Sequence, residues 1–372
     1  MLELNRDNAV DYLRTRGVIA PGVDAEAELL EWGVSNVVLR VTRGDGEDLV
    51  IKQSREKLRT RVDWRSRLER IYREAEVQQA LADLLPAGMV PRVLFEDRPN
   101  FLFAMQAVEA DHVVWKADLL AGRCDEAVAT AAALALARVH GGTAADPALR
   151  SRWDDATVFD ELRLDPYYRF TAQAHPEVAD RLHALIDETL ANRVCLVLGD
   201  FSPKNILLTR RGIALVDFET GHFGDPAFDL GFFLSHLLLK TILHRSVGRV
   251  SNPSVHSSMI DNTDGLKTGP TEVCDRVLNL ATAFWREYLA GLEPPPGAAA
   301  LSAPEISRRT VPHLAGCLLA RIDGKSPVDY LDEQRQEVAR RFALGLFQDL
   351  PPRIVDVFEG LRRTLRAARE RR

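Results

Sequence analysis

The chain has 372 residues and a formal net charge of −6, with 46% hydrophobic and 27% charged residues. That length supports one large domain or two lobes around a substantial core, and the composition is that of a soluble globular protein, which we expect to be cytoplasmic. The acidic balance argues against a nucleic-acid partner, whose binder usually carries a basic surplus. From the N-terminus, Asp7 is placed to cap a helix running to about residue 16, with Val10, Leu13 and Tyr12 on its buried side and Gly17 as its stop. Its charged start, MLELNRDNAVDYLRTRG, does not read as a secretory signal.

Residues 26–52 read as strands at 29–32, 37–43 and 49–52, the last two joined by Gly44-Asp45-Gly46, a good hairpin turn. A long charged helix, or two in series, is expected over 55–84 and ends at Pro86. After Pro91 come two more strands, 93–95 and 101–105, joined by a polar turn at 97–100. Beyond residue 110 the pattern turns helical, at 124–140, 160–170, 179–191, 230–244, 273–289, 307–319 and 355–372. Pro166 must kink or split the second of these. The small apolar run at 127–139 is too short to span a bilayer, and no membrane association is expected.

Four scattered cysteines, Cys124, Cys195, Cys274 and Cys317, form no C-x-x-C pair, so neither a disulfide framework nor a zinc site is expected. His236 and His244 lie eight residues apart on one predicted helix without an evident third ligand. The polar stretch 245–271 is either a mobile surface loop or part of a substrate lid. Gly324-Lys325-Ser326 looks like the tail of a P-loop, but position 319 is leucine where the earlier glycine belongs, so a Walker motif is rejected. Arg321, Asp323 and Lys325 remain candidates for substrate contact. The basic C-terminal helix suits a solvated tail.

The chemistry-bearing stretch is 194–232. An apolar run, 194–198, leads into Gly199-Asp200, with Asn205 five residues beyond the aspartate. A second apolar strand, 213–216, delivers Asp217 at its end, followed by Phe218-Glu219; then comes Gly224-Asp225-Pro226-Ala227-Phe228-Asp229-Leu230-Gly231. Phosphoryl transfer from a nucleotide needs a carboxylate to orient the attacking hydroxyl and accept its proton. It also needs oxygen ligands, here Asn205 and Asp217, to fix Mg²⁺ against the phosphates.

These three linked blocks resemble the kinase-like family of small-molecule phosphotransferases, which includes aminoglycoside phosphotransferases, choline kinases and methylthioribose kinases. The resemblance covers residues 25–240 well and the remainder loosely. It implies an α+β, bilobal protein-kinase-like fold: a small β-rich nucleotide-binding lobe over 1–105, a hinge at 106–110, and a mostly helical catalytic and substrate lobe over 111–372. It implies Asp200 as catalytic base, Asn205 and Asp217 as metal ligands, and ATP with Mg²⁺ as cofactors.

On the nucleotide side it implies the turn Gly33-Val34-Ser35-Asn36 over the phosphates, with Gly33, Ser35 and Asn36 in contact. Lys52 would grip the α- and β-phosphates, with Glu74 holding Lys52 and Glu76 as second choice. The backbone of Gln106 and Val108 would pair with the adenine edge. Glu219 would assist metal or substrate, and Asp229 would brace the catalytic loop. Two departures stand out: Leu198 occupies the place of a histidine that supports the loop in many relatives, and Lys204 stands four residues after Asp200.

The function implied is phosphorylation of a hydroxyl on a small molecule: an aminoglycoside, amino alcohol, sugar or similar metabolite. Acids such as Glu219 and Asp225, and those within 245–271, would suit a polycationic acceptor. The competing class is a nucleotide-binding pseudokinase-like protein acting through a partner, which Leu198 favours. Protein kinase activity is disfavoured because 217–232 runs straight into a helix, with no room for a long activation segment. The oligomeric state is left open.

Overall fold

The computed structural model describes residues 2–30, 35–58, 64–245 and 270–370. Alternating and β-branched residues give a five-stranded antiparallel sheet of strands β1 (Ala25–Leu29), β2 (Asn36–Arg43), β3 (Leu49–Ser54), β4 (Val93–Asp97) and β5 (Leu102–Gln106). The strand order is β1-β2-β3-β5-β4, so β3 is central and all six of its residues are buried. Its side chains alternate between two covered faces. Leu49 and Ile51 join Ala9 and Leu13 of helix α1 (Ala9–Thr15), while Val50 shares a cluster with Ile71 and Ala75 of helix α2 (Arg70–Leu84). Lys52 follows Val50 at a spacing of two and therefore points towards α2.

Three local expectations are corrected here. The turn before α1 is organised by Asn5, not Asp7: the Asn5 Oδ1 accepts the N–H of Asp7 at 2.8 Å and of Asn8 at 3.2 Å. The first strand begins earlier than expected, at Ala25–Leu29, because Leu29 pairs with Leu39 and Ala25 with Arg43; residues 31–32 of the expected strand lie outside the described residues. Among the described residues the charged helix covers Arg70–Leu84, with 59–63 of the expected span outside them. Upstream of it, Leu58 and Trp64 are buried with Leu162, and the Trp64 Nε1 donates to the Glu161 carbonyl at 3.0 Å. Tertiary burial overrides helix propensity in that segment.

The remainder is mostly helical. Strand β6 (Val113–Val114) and helices α3 (Trp115–Leu120), α4 (Glu126–Thr143) and α5 (Pro147–Trp153) follow β5. Asp125 caps α4 by accepting the Ala127 N–H at 2.9 Å. A continuous helical stretch then runs through α6 (Thr157–Phe159), a π-helical segment (Asp160–Arg169) and α7 (Phe170–Ala174). Pro166 sits inside the π segment. The wider register takes up the proline's missing donor and its ring, so of the two expected outcomes the helix is not split.

Helix α8 (Ala179–Ala191) leads to strands β7 (Cys195–Val197), β8 (Ile206–Thr209), β9 (Gly212–Leu215) and β10 (His222–Gly224). They pair as β7 with β10 and as β6-β8-β9. This layout sets the two turns that carry Asp200 and Asp217 side by side, because Val216 N–H donates to the Asn205 carbonyl at 3.1 Å.

Helix α9 (Pro226–Leu243) follows at once, packed against α10 (Pro270–Gly291), α11 (Ala303–Asp323) and α12 (Glu333–Gln348), and α13 (Ile354–Glu370) packs in turn on those three. By length and composition alone α9 could cross a membrane, yet 94% of it is buried inside the protein. Sequence reading missed α12, where few large apolar residues mark the helical period.

Candidate active site

Lys52 leaves the buried face of β3 and meets Glu74 from α2 in direct ion-pair contact; its Nζ also donates to Asp217 Oδ1 at 2.9 Å. Burial alone would lower the Lys52 pKa. Asp217, Glu74 and Glu219 outweigh it and hold the ammonium above the ordinary lysine value. Burial pushes the Glu74 carboxyl upward, since its side chain is wholly enclosed. Asp217 goes the other way: burial would raise it, but Lys52 and Lys204 hold it down at about 2. Glu76, the second choice for the lysine's partner, lies at the surface 3.6 Å from Arg152.

Asp200 is buried, and Arg163 and Lys204 each reach its Oδ2 at 2.8 Å. Asn205 Nδ2 donates to the same carboxylate and to the Asp200 carbonyl, both at 3.0 Å. Gly199 takes φ +69, and a Cβ there would come within 2.8 Å of Thr220 Oγ1, so the turn requires glycine. Asp217 itself sits at φ +74, a backbone conformation that non-glycine residues adopt at a cost and that clusters at functional sites.

The loop is held without the family histidine. Asp229, at the start of α9, accepts the Leu198 and Gly199 N–H groups, each at 2.7 Å. His140 backs Asp229 at 3.3 Å and also bonds Tyr288 at 2.9 Å. From the opposite side Arg163 donates to the Gly199 carbonyl at 2.6 Å. Arg163 was missed in the sequence; it comes from the π-helical segment 36 residues away and belongs to no motif.

Ser35 and Asn36 both turn to Glu219, at 2.8 and 3.2 Å, while Gly33 lies outside the described residues. Arg70, also missed, joins this group: its Nε reaches Glu219 at 3.0 Å and its guanidinium contacts Asn36 Oδ1 at 3.2 Å. At the predicted hinge, the Gln106 N–H is spent on the Arg92 carbonyl at 2.9 Å and the Val108 carbonyl on Arg40 at 2.8 Å. Among the described residues the Val108 N–H has no protein acceptor.

A divalent cation is tested against this donor set. Asn205 spends its amide N–H groups on Asp200, leaving Oδ1 without a protein donor among the described residues. Asp217 gives only Oδ1 to Lys52. Glu74, Asp217 and Glu219 also place oxygens within 4.8 Å of one another, and Glu74 Oε2 is buried without a partner. Hard, oxygen-only donors of this kind fit Mg²⁺.

Glu219 and Asp225, suggested for a polycationic acceptor, and Asp323 and Lys325, suggested for substrate contact, are already engaged. Asp225 is buried, caps α9 through the Ala227 N–H at 2.9 Å and pairs with Arg309 at 3.2 Å. Asp323 pairs with Arg340 at 2.7 Å and Lys325 with Asp165 at 2.6 Å. Most of the 245–271 stretch lies outside the described residues.

Residues 26–243, more than half of the chain, match the phosphotransferase enzyme family. Methylthioribose kinase 2 of Oryza sativa subsp. japonica is 25% identical over 272 residues, covering 63% of this chain and 62% of that protein. The methylthioribose kinase of Escherichia coli O45:K1 is 24% identical over 271 residues, covering 63% and 64%. The matched part thus spans less than two thirds of these curated relatives.

Among solved structures, choline kinase from Cryptosporidium parvum Iowa II superposes with a TM-score of 0.53 at 10% identity, over 95% of this chain and 97% of that one. This likeness concerns the fold: a small antiparallel sheet followed by a helical region. Family match and shared fold agree, and the chain belongs to the phosphotransferase enzyme family.

Proposed function

We propose that this protein transfers the γ-phosphoryl group of ATP, with Mg²⁺, to a hydroxyl of a small molecule. One observation carries the reading: the Lys52–Glu74 pair reaches Asp217 at 2.9 Å, beside a loop in which Asn205 holds Asp200 at 3.0 Å. In this reading residues 1–105 form the nucleotide lobe, 106–110 the hinge and 111–372 the catalytic and substrate lobe. Asp200 orients the acceptor hydroxyl and takes its proton, while Arg163 and Asn205 fix that carboxylate in place. Lys52, positioned by Glu74, binds nucleotide phosphate oxygens. Asn205 and Asp217 would hold Mg²⁺, which when bound neutralises charge on the β- and γ-phosphates.

Positioning and charge neutralisation account for most of the catalysis, and removing one such contact costs about 10²–10³ in rate. The pseudoenzyme alternative rested on Leu198. Asp229 and Arg163 hydrogen-bond the loop around that position, which supports turnover over the alternative. ADP release with Mg²⁺ and a panel of sugars, amino alcohols, hydroxy acids and aminoglycosides tests the proposal. Release that depends on one acceptor class is expected. Failure of the protein to bind Mg²⁺ with ATP or GTP would overturn it.

A further inference from the structure

Beside the loop of Asp200 lies a cationic cluster that the phosphoryl-transfer chemistry does not use. The Nζ of Lys116 and of Lys240 stand over the same Tyr330 ring, 5.8 and 5.3 Å from its centre. Lys240 is 1% exposed, and among the described residues its one hydrogen bond goes to the His236 carbonyl, one turn back on α9, at 3.2 Å. His236 Nε2, Arg321 Nε and the Tyr330 hydroxyl are buried without partners.

The cluster touches the catalytic loop from two sides. The Lys116 N–H donates to the Pro203 carbonyl at 2.9 Å. The Arg163 that holds Asp200 lies over Phe232, 5.6 Å from its ring centre, and Phe232 meets His236 edge-on at 4.9 Å. The exposed Asp329 acts electrostatically on Lys116 and Tyr330, but no ion pair joins it to either among the described residues.

Burial drives Lys240 well below the ordinary lysine value, and Lys116 and Arg321 push it the same way. His236 is lowered by burial and by Lys240, Arg321, Lys204 and Lys116. Enclosed cations are normally matched by a carboxylate or phosphate, because an unmatched one is costly to bury. Here no carboxylate is paired with Lys240 or Lys116 among the described residues, and the unpartnered atoms of His236, Arg321 and Tyr330 belong to the same cluster.

We infer that the acceptor is an anion: Lys240, Lys116, Arg321 and His236 form a site for a carboxylate or phosphate group carried by the molecule whose hydroxyl meets Asp200. This inference rests on the phosphotransferase reading and narrows it, away from aminoglycosides and towards hydroxy acids or sugar phosphates.

Calorimetric titration of the full chain, held with Mg²⁺ and the non-hydrolysable analogue AMP-PNP, tests it with gluconate, glucose 6-phosphate, glucose and glucosamine as probes. At least one of the two anions should bind ten or more times tighter than glucose or glucosamine; which one does identifies the carboxylate or the phosphate. Lys240→Met should cut that preference at least tenfold while raising Tm without probe, because it removes a buried amine that has no acid to match it. His236→Gln provides a second variant of similar size and should weaken the same anion.

Equal or stronger binding of glucose or glucosamine, or no binding of either anion at millimolar concentration, would overturn the proposal. So would an anion preference unchanged in Lys240→Met. A merely structural lysine would instead lower Tm on substitution and leave the preference intact. Failure of AMP-PNP with Mg²⁺ to bind is a separate result that counts against the phosphotransferase reading itself.

Discussion

Asp200, Lys52 and Asp217 each draw their position from several partners, and this separates residues that a motif reveals from residues that only folding reveals. Glu74, which the family resemblance preferred over Glu76, is the enclosed partner of Lys52, whereas Glu76 is partly exposed beside Arg152. Glu74→Gln should therefore raise the KM for ATP by about tenfold or more, whereas Glu76→Gln should leave it within about twofold. Steady-state kinetics on the two variants decide between them.

Arg163 and Arg70 were illegible because they reach their targets across 36 and 149 residues of sequence. Arg163→Met strips the Gly199 carbonyl of a buried donor. It should cost about 1–3 kcal/mol in urea unfolding, alongside a loss of turnover of about 10–100-fold. Unchanged stability and turnover would show that Asp229 and Lys204 suffice to hold the loop.

At the level of elements, strands and long apolar helices were legible because burial imposes a period on them. Segments shaped by distant partners were not. Residues 55–69 carry helix-forming charges, yet Leu58 and Trp64 are drawn into contact with Leu162. The π register around Pro166 leaves no sequence period to detect.

Close packing of α9 on α11 gives a sharp test. A Cβ on Gly231 would lie 2.5 Å from the His313 Cβ, whereas Gly345, exposed on α12, has nothing within 4 Å. Gly231→Ala should destabilise by about 1–3 kcal/mol through overpacking. Gly345→Ala should stabilise by about 0.5–1 kcal/mol through helix propensity and a less flexible unfolded chain. Equilibrium unfolding of both variants checks the pair, and matching shifts would contradict the packing described.

For the whole molecule, neutral histidines in the core set the acid limit. Burial lowers His222 to about 4 and His313 to about 3, with Arg309 adding to the latter. Their folded values lie below the unfolded one, so the stability they contribute is complete above about pH 6.5 and is lost as pH falls below it. Between pH 7 and pH 5 each should cost about 2 kcal/mol. His313→Gln should remove about 2 kcal/mol of the stability lost between pH 7 and pH 5 in urea titrations, and a flat profile over that range would contradict the neutral-core assignment.

The account rests most directly on Asp200. Single-turnover phosphoryl transfer to a working acceptor, measured beside AMP-PNP binding with Mg²⁺, should separate its chemical role from its structural one. Asp200→Asn is predicted to slow transfer at least ~100-fold while nucleotide affinity stays within about threefold. Transfer at the unsubstituted rate in that variant would contradict the assignment of Asp200 as the base.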